Sequence, residues 1–258
     1  MKNNKIGLLA CMLGFLSGCD NDPQTLNPQT RDPQKLVMTT SPDNPPFESF
    51  DSATRDVVGL DIDLAHLIAA ELKLPLEIIQ QDFSALIPTV QAGKADFAVA
   101  QFSASPERSK AVDFSKPYLK TAGALVVDSQ TGITSVQDLK GKTMGVQMGT
   151  TFAQVADILK KEIPEMDVKL YNKVTEMVEE VKNGRIHAAL LDQTAGAAFA
   201  KAHAGLQAIV LDDEVTTQTL SIVLPKGSVH KDAINQAIER LEKSGEMDKL
   251  KAKWLTKE

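Results

Sequence analysis

The chain has 258 residues, 43% of them hydrophobic and 24% charged, which is typical of one or two folded domains with a substantial core. Its formal net charge of −6 and the lack of any basic block argue against a nucleic-acid partner. Both cysteines, Cys11 and Cys19, lie close to the N-terminus, so we expect neither disulfides nor thiolate metal sites in the folded body.

The N-terminus has the pattern of an export signal. Two lysines precede the apolar run 6–16, which is too short to span a bilayer. Small residues then precede Cys19, which resembles the bacterial lipoprotein signal; an ordinary secretory signal with a coincidental cysteine is the alternative. We expect a signal peptide over residues 1–18, a lipid on Cys19 that anchors the protein to the membrane, and a flexible polar tether over residues 19–33.

The first part of the body alternates strands and helices. Continuous apolar runs predict strands, and apolar residues at helical spacing predict helices. The predicted strands are 35–40, 76–80 and 96–100, and the predicted helices are 61–72 and 84–92. A β-α-β-α-β order implies a parallel sheet with right-handed crossovers.

The strand and helix pattern then restarts, which indicates a second lobe. The continuous apolar strands 121–127 and 219–224 flank this second series. If they run side by side, the chain crosses into a second lobe and returns, and the two connections form a hinge. The predicted lobes are residues 34–123 with 217–258, and residues 124–216.

A serine-rich loop leads from the third predicted strand to Arg108. Ser105 is predicted to cap a short helix and Pro106 to occupy its first position, so Arg108 lies just beyond the end of a strand. Open α/β sheets bind ligands there, and a guanidinium can hold a carboxylate in bidentate fashion. Spacing alone would favour an ordinary surface arginine, so the assignment depends on the rest of the chain.

Two features of the second lobe complement Arg108. Residues 147–151 open a predicted helix, whose N-terminal amides attract an anion, and Asp192 follows a predicted strand. A carboxylate facing Arg108 suits a zwitterion, with the ligand carboxylate on one side and its ammonium group on the other. Thr150 and Asp192 could equally be simple N-caps of the helices that follow them.

The sequence contains no recognisable catalytic constellation. None of the four histidines lies in a nucleophile motif, and residues 141–143 lack the upstream glycine of a phosphate-binding loop. The spacing of Asp51, Asp61 and Asp63 does not match a calcium-binding loop, and Asp61 is expected to stabilise a helix start through the helix dipole. We therefore expect no catalytic residue, no metal and no cofactor.

Several short motifs occur in a specific order along the chain. They are Pro-Pro-Phe-Glu (45–48), Gly-Leu-Asp-Ile-Asp-Leu-Ala (59–65), Ser-Pro-Glu-Arg-Ser-Lys (105–110), Asp-Phe-Ser-Lys-Pro-Tyr (113–118), Leu-Lys-Gly-Lys-Thr-Met-Gly-Val (139–146) and Gly-Thr-Thr (149–151). As a set, these motifs resemble the polar amino acid-binding proteins of bacterial ABC importers, solute-binding protein family 3. The resemblance covers nearly all of residues 34–255.

The resemblance implies a fold and a function. The fold would be α/β and two-lobed, of the type II periplasmic-binding-protein class, with a mainly parallel sheet and flanking helices in each lobe and a two-strand hinge. The lobes would close on a free amino acid and deliver it to an ABC permease. The protein would be a monomer on the periplasmic or cell-surface side of the membrane.

The resemblance also implies roles for individual residues. Arg108 would hold the α-carboxylate of the ligand with help from Thr151 and Ser103, and Asp192 would hold the α-ammonium group. The pocket for the ligand side chain would be lined by Ser41, Asn44, Phe83, Gln101 and Gln147.

The ligand side chain is left open by the resemblance. Members that bind basic amino acids usually carry an acid at the position of Ser41, an aromatic residue at that of Asn44, and often a serine at that of Gln101. A neutral polar ligand such as glutamine or cystine is therefore at least as well supported as arginine or lysine. Asp43 or Glu48 could replace the missing acid.

Two other functions are compatible with the same fold. Secreted cyclohexadienyl dehydratases, which the chain also resembles, act on a carboxylated ring in the same cleft and need an acid for proton transfer. The loop after the predicted strand 168–171 offers Asn172 and Lys173, neither of which is a carboxylate. A ligand-sensing module is the other alternative, although no signalling domain is attached.

Overall fold

A computed structural model describes residues 34–255. The predicted signal peptide, the predicted lipidation site at Cys19 and the predicted tether lie outside this range. Within it, no helix has both the length and the apolar character needed to cross a bilayer.

The first of two five-stranded sheets is built mainly from the N-terminal part of the chain. Its strands are β1 (Leu36–Thr40), β4 (Leu76–Gln80), β5 (Phe97–Ala98), β6 (Val112–Thr121) and β12 (Gln218–Pro225), in the order β4-β1-β5-β12-β6. β1 runs parallel to β4 and β5, whereas β12 runs antiparallel to β5 and β6. A short hairpin of β2 (Ser49–Phe50) and β3 (Val57–Val58) follows β1.

Helices cover both faces of the first sheet. They are α1 (Leu60–Leu72), α2 (Phe83–Gln91), α3 (Arg108–Ala111), α7 (Lys231–Ser244) and α8 (Glu246–Leu255). Leu36 and Met38 of β1 pack with α1, α7 and α8, and the intervening Val37 packs with α2 on the opposite face. This alternation follows from the two-residue period of a strand, so β1 is buried along its whole length.

The second sheet is built from the middle of the chain. Its strands are β7 (Gly123–Asp128), β8 (Thr143–Gln147), β9 (Asp167–Tyr171), β10 (Ala188–Asp192) and β11 (Leu206–Leu211), in the order β11-β7-β10-β8-β9. Its helices are α4 (Thr151–Glu162), α5 (Val174–Lys182) and α6 (Gln193–Ala202), with a short 3₁₀ helix at Val136–Leu139. α4 packs on one face, and α5 and α6 pack on the other.

The predicted α/β fold with two sheet-based lobes is confirmed, but the sheets are more mixed than predicted. Each sheet contains two parallel and two antiparallel strand pairs. In the first sheet the antiparallel pairs arise because β12 returns from the far end of the chain and inserts between β5 and β6. In the second sheet, β7 supplies both antiparallel contacts, with β10 and β11.

The prediction of which two strands pair at the connection between the lobes is wrong for one of the two strands. β12 pairs with β6, where Gln218 lies opposite Thr121, and not with the apolar strand at residues 123–128. That apolar strand, β7, lies inside the second sheet. Sequence reasoning missed β6 because its residues are polar and include Pro117, which an edge strand tolerates since one side needs no ladder bonds.

Candidate functional site

A cavity lies between the edges of the two sheets. Its roughly 540 Å³ of empty space includes open solvent at the mouth, and residues of both sheets and their helices line it. Eight of the ten residues predicted to bind ligand line it: Asn44, Phe83, Gln101, Arg108, Gln147, Thr150, Thr151 and Asp192. Their contact with a ligand stays a prediction.

Arg108 contributes a positively charged side chain to the cavity lining. Its Nη1 donates to the carbonyl of Ser103 at 2.8 Å, and its Nη2 donates to the carbonyl of Gly149 at 2.7 Å. Burial lowers the pKa of Arg108 to about 10, which leaves the guanidinium charged at neutral pH. Because a guanidinium has about five N–H donors, donors remain for a ligand carboxylate.

The short helix that carries Arg108 starts later than predicted. α3 begins at Arg108 itself, preceded by Glu107, and Pro106 is not its first residue. Ser105 nevertheless accepts a hydrogen bond from the backbone N–H of Arg108 at 3.1 Å through its hydroxyl oxygen. This bond holds Arg108 at the end of the serine-rich loop.

Two stacked aromatic rings support the guanidinium. Phe83 and Phe102 stack with their centroids 4.5 Å apart, and the Arg108 guanidinium carbon lies 5.8 Å and 5.2 Å from the two centroids. Phe83 is the first residue of α2, which begins one residue before the predicted helix 84–92 and has Asp82 at its N-cap position. The rings hold the cation by cation–π attraction and keep one wall of the cavity apolar.

The N-terminus of α4 opens onto the cavity from the second sheet. Thr150 caps the helix by accepting a hydrogen bond from the N–H of Ala153 at 3.2 Å, which is the simple capping role that the sequence left open. Thr151 donates through its hydroxyl to the Gln218 side chain at 2.6 Å, which joins α4 to β12. The helix terminus places partial positive charge near the positive Arg108.

Asp192 caps α6, which is the second of the two capping roles that the sequence left open. One of its oxygens accepts hydrogen bonds from the N–H groups of Thr194 and Ala195 at 2.7 Å and 3.1 Å, which caps α6. The other oxygen accepts a hydrogen bond from the hydroxyl of Thr121. Burial raises the pKa of Asp192, and these three hydrogen bonds oppose that rise. The capped carboxylate still lines the cavity.

A buried carboxylate from the first sheet bridges to the second. Asp43, in the loop after β1, accepts hydrogen bonds from Gln147 Nε2 at 3.0 Å and from the N–H of Val174 at 2.7 Å. Val174 is the first residue of α5, which has no side-chain cap of its own. Burial raises the pKa of Asp43 to about 6, and the bond from Val174 opposes that rise.

Glu48 is a second buried acid and lies in the cavity lining. Its side chain is 2% exposed, and its Oε2 atom has no nitrogen or hydroxyl donor among the described residues. The Oδ1 atom of Asn44 and the Nε2 atom of Gln101 are buried without partners in the same lining. Buried polar groups are normally hydrogen-bonded, so these three atoms could bond a polar group placed in the cavity.

Asp61 lies beneath Glu48 and differs from its sequence interpretation. It is fully buried and accepts hydrogen bonds from the N–H of Gln101 at 2.9 Å and from the hydroxyl of Tyr118 at 2.8 Å. It therefore does more than favour a helix start: it holds Gln101, whose φ of 51° is unusual for a residue other than glycine. Burial raises the pKa of Asp61 to about 7.

The family model described as bacterial extracellular solute-binding proteins, family 3, matches residues 36–257. The chain belongs to this family.

Curated relatives and solved structures agree with this membership. This solute-binding protein is 34% identical over 229 residues to the arginine-binding extracellular protein ArtP of Bacillus subtilis (strain 168), with 87% of this chain and 88% of the relative covered. Its fold superimposes with a TM-score of 0.80 on an ancestral arginine-binding protein bound to arginine, at 35% identity, covering 86% of this chain and 98% of the other.

A third match bears on the enzyme alternative. The fold of this solute-binding protein also superimposes, with a TM-score of 0.79 and 29% identity, on the ancestral amino acid-binding protein AncCDT-1, described as a precursor of cyclohexadienyl dehydratase. The match covers 86% of this chain and 96% of the other. Among the described residues of this solute-binding protein, no cluster of three acids, histidines or cysteines could hold a metal ion.

Two predicted site residues do not line the cavity. The hydroxyl of Ser41 donates to Asp43 at 3.0 Å, so Ser41 positions the bridging acid from behind. Ser103 offers its backbone carbonyl to Arg108 and belongs to the lining of a neighbouring groove, and its hydroxyl is buried without a hydrogen-bond partner among the described residues.

The lining contains residues that the sequence did not indicate as lining. Glu48 was considered only as a substitute acid, and Gln218 lies on the strand whose pairing was mispredicted. The apolar lining residues are Ala100, Phe152, Val174, Met177, Leu190 and Leu220. The sequence does not distinguish these residues from ordinary core residues, because both kinds lie on the apolar faces of helices and strands that pack together.

Proposed function

We propose that this solute-binding protein binds a free amino acid with a positively charged side chain and delivers it to an ABC permease. The observation that supports this proposal most is the charge pattern of the cavity. Arg108 supplies one cation, and Asp192 and Glu48 supply two separate acids. An α-carboxylate, an α-ammonium group and a cationic side chain are the complement of that pattern.

The backbone end of the ligand would lie between the two sheets. The α-carboxylate would bind the remaining donors of Arg108 and the N-terminal amides of α4, with the Thr151 hydroxyl beside them. The α-ammonium group would donate to Asp192, whose bonds to α6 and Thr121 already orient it. Arg108 belongs to the first sheet and its helices, whereas the start of α4 and Asp192 belong to the second, so the ligand would hold the two together.

The side-chain end would reach Glu48. Its unpaired Oε2 atom and the Asn44 Oδ1 atom are acceptors, which suit the N–H groups of arginine or lysine. The arginine-binding relatives support the same ligand class. Glutamine remains the second candidate, because the Gln101 Nε2 donor is also unpaired and could bind an amide oxygen.

Binding would close the two lobes around the ligand. We propose the predicted lobes, residues 34–123 with 217–258 and residues 124–216, as the moving bodies. The paired strands β6 and β12 would carry the hinge, since both connections between the sheets leave from their ends. A ligand shifts such an equilibrium by the affinity that it gains in the closed form.

We also propose that the protein acts as a lipid-anchored monomer on the periplasmic or cell-surface side, held through Cys19 and the tether 19–33. The extracellular character of the family supports this location. The test is metabolic labelling with a radioactive fatty acid, which should label the wild-type protein and not Cys19→Ser. Equal labelling of both would contradict the anchor.

Calorimetry with purified protein tests the ligand class. We expect arginine or lysine to bind at least about 10-fold more tightly than glutamine, since a buried charge-assisted contact is worth roughly 1.5–3 kcal/mol. We also expect no turnover of prephenate or arogenate. Preferential binding of glutamine would reject the charged ligand, and turnover of prephenate would favour the dehydratase alternative.

Arg108→Ala tests the carboxylate contact. Removing a buried charged partner should weaken arginine binding by about 100-fold or more. Arg240→Ala is the matched control, because Arg240 is half-exposed and pairs with Glu71 on the surface of the first sheet. Equal affinity of the two variants, both folded by circular dichroism, would exclude Arg108 from the site.

A further inference from the structure

Glu48 and Asp61 form a buried pair of acids with no basic partner. Glu48 is 2% exposed and Asp61 is fully buried, and neither forms an ion pair with a lysine, arginine or histidine among the described residues. The N–H of Asp61 donates to the carbonyl of Phe47, the residue before Glu48, at 3.0 Å, and burial and the charge of Asp61 raise the pKa of Glu48. Two ionised carboxyl groups buried side by side without a cation repel each other, so the pair favours a state in which one of the two acids is protonated.

The hydrogen bonds around the pair identify the protonated member. Asp61 accepts bonds from the N–H of Gln101 and the hydroxyl of Tyr118, and both bonds favour its ionised form. Glu48 receives no such donor at Oε2. These bonds favour the proton on Glu48, which lines the cavity, and the negative charge on Asp61.

The surrounding groups strengthen this arrangement. Asp43 from the loop after β1 and Asp192 from the end of β10 both raise the pKa of Glu48, after burial and Asp61, and Tyr118 of β6 is neutral. Arg108 is the one basic side chain in the cavity lining. An ionised Glu48 would thus add a further negative charge to an already acidic floor, unless a cation arrives with it.

We infer that a basic ligand displaces the proton of the Glu48–Asp61 pair, so that binding of each cationic side chain releases a proton to solvent. This inference rests on the proposed ligand class. The O–H bond of Glu48 breaks, its proton passes to water, and an N–H group of the ligand takes its place as donor. The charge within the cavity floor is unchanged, which avoids the cost of burying an unpaired charge.

The exchange separates basic from neutral ligands. A protonated Glu48 can donate to the amide oxygen of a ligand such as glutamine without releasing a proton. A basic ligand must displace the proton of Glu48, so its affinity should rise as the pH rises. The rise should end at the pH where Glu48 is already ionised in the ligand-free protein. The affinity of a neutral ligand should not rise in this way.

Calorimetry in buffers with different ionisation enthalpies measures the released proton. At neutral pH, we expect about one proton released per arginine bound by the wild-type protein. Glu48→Gln should abolish the release and weaken arginine binding, whereas Glu48→Asp should retain part of the release. Asp138→Gln is the control, because Asp138 lies on the exposed side of the second lobe and should leave proton release at the wild-type value.

Infrared spectroscopy tests the shared proton without relying on affinity. The ligand-free protein should show the carbonyl band of a neutral carboxylic acid at neutral pH, and both arginine and the Glu48→Gln substitution should weaken it, since Asp61 and Asp43, with pKa values of about 7 and about 6, contribute to the same band. Thermal unfolding gives a check on folding. Burial raises the pKa of Glu48 above its ordinary value of 4.5. At pH values above 4.5 the folded protein therefore binds more protons than the unfolded protein, and the free energy of unfolding falls as the pH rises. Glu48→Gln should make that fall shallower.

The outcomes separate this inference from the proposed function. Arginine binding without proton release, or a ligand-free wild-type protein without the neutral-acid band, overturns the proton exchange and leaves the ligand class standing. Proton release that persists in Glu48→Gln assigns the proton elsewhere and overturns the inference as well. Failure of arginine and lysine to bind overturns the ligand class and the exchange together.

Discussion

At the scale of single residues, capping and ligand binding need not be alternatives. Asp192 caps α6 with one oxygen and accepts from Thr121 with the other, yet it lines the cavity. A carboxylate has about four lone-pair sites, so three hydrogen bonds leave room for one more donor. The capping bonds fix the orientation of the acid before a ligand arrives, which lowers the entropy lost on binding.

Asp192→Asn separates the two roles. Asparagine caps helices about as well as aspartate, so α6 should keep its start. The charge is lost, and we expect arginine affinity to fall roughly 10- to 100-fold while deaminated arginine loses little. Calorimetry with both ligands measures the difference. An equal loss for the two ligands would argue against an ammonium contact at Asp192.

At the scale of elements, the start of α1 positions both acids of the cavity floor. The N–H groups of Leu60 and Asp61 donate to the carbonyls of Pro46 and Phe47, each at 3.0 Å. Helix N-termini have unsatisfied N–H groups, and here the turn before Glu48 satisfies two of them. Gly59 allows this approach, because a Cβ atom on it would lie 2.0 Å from the Phe47 carbonyl oxygen.

Gly59→Ala should therefore damage both the fold and the site. Its φ of 142° already disfavours alanine, and the clash adds to the strain, so we expect a loss of about 3 kcal/mol or more in the free energy of unfolding. Gly132→Ala is the control, since Gly132 also has a positive φ, of 68°, but nothing lies near its missing Cβ.

Urea denaturation of the two glycine variants measures the difference. The control should lose about 1–2 kcal/mol from backbone strain alone. Arginine binding should weaken in Gly59→Ala and stay unchanged in Gly132→Ala. Similar stability of the two variants would mean that the contact between the turn and α1 is easily rearranged.

At the scale of the whole molecule, contacts between the sheets surround the cavity. Arg108 donates to Gly149, Thr151 donates to Gln218, and Asp43 accepts from Gln147 and Val174. The Asp43 contact differs from the others, because a charged acid from the first sheet caps α5 of the second. It uses the dipole of that helix as well as hydrogen bonds.

Asp43→Ala tests whether this bridge stabilises closure. Loss of a buried charged acceptor should weaken ligand binding about 10- to 100-fold and leave the liganded protein more expanded by small-angle X-ray scattering. Asp51→Ala is the control, because Asp51 is bonded within its own surface turn. If Asp43→Ala matches this control in affinity and scattering, the bridge does not contribute to closure.

Much of the fold follows from local sequence pattern. β4 matches the predicted strand 76–80, and α1 begins one residue before the predicted helix 61–72, since apolar periodicity is a local signal. β6 was missed because a polar edge strand with a proline has no such signal. Its pairing with β12 joins residues about one hundred positions apart, which no local pattern specifies.

The candidate site divides in the same way. Arg108, Asp192 and the start of α4 follow strands or begin helices, so motif and element order alone bring them to one edge. The acids Asp43, Glu48 and Asp61 acquire their properties from burial and from neighbours distant in sequence. Desolvation and hydrogen bonding depend on the three-dimensional surroundings of a group, so only the tertiary structure decided which acid bridges the sheets and which one lines the cavity.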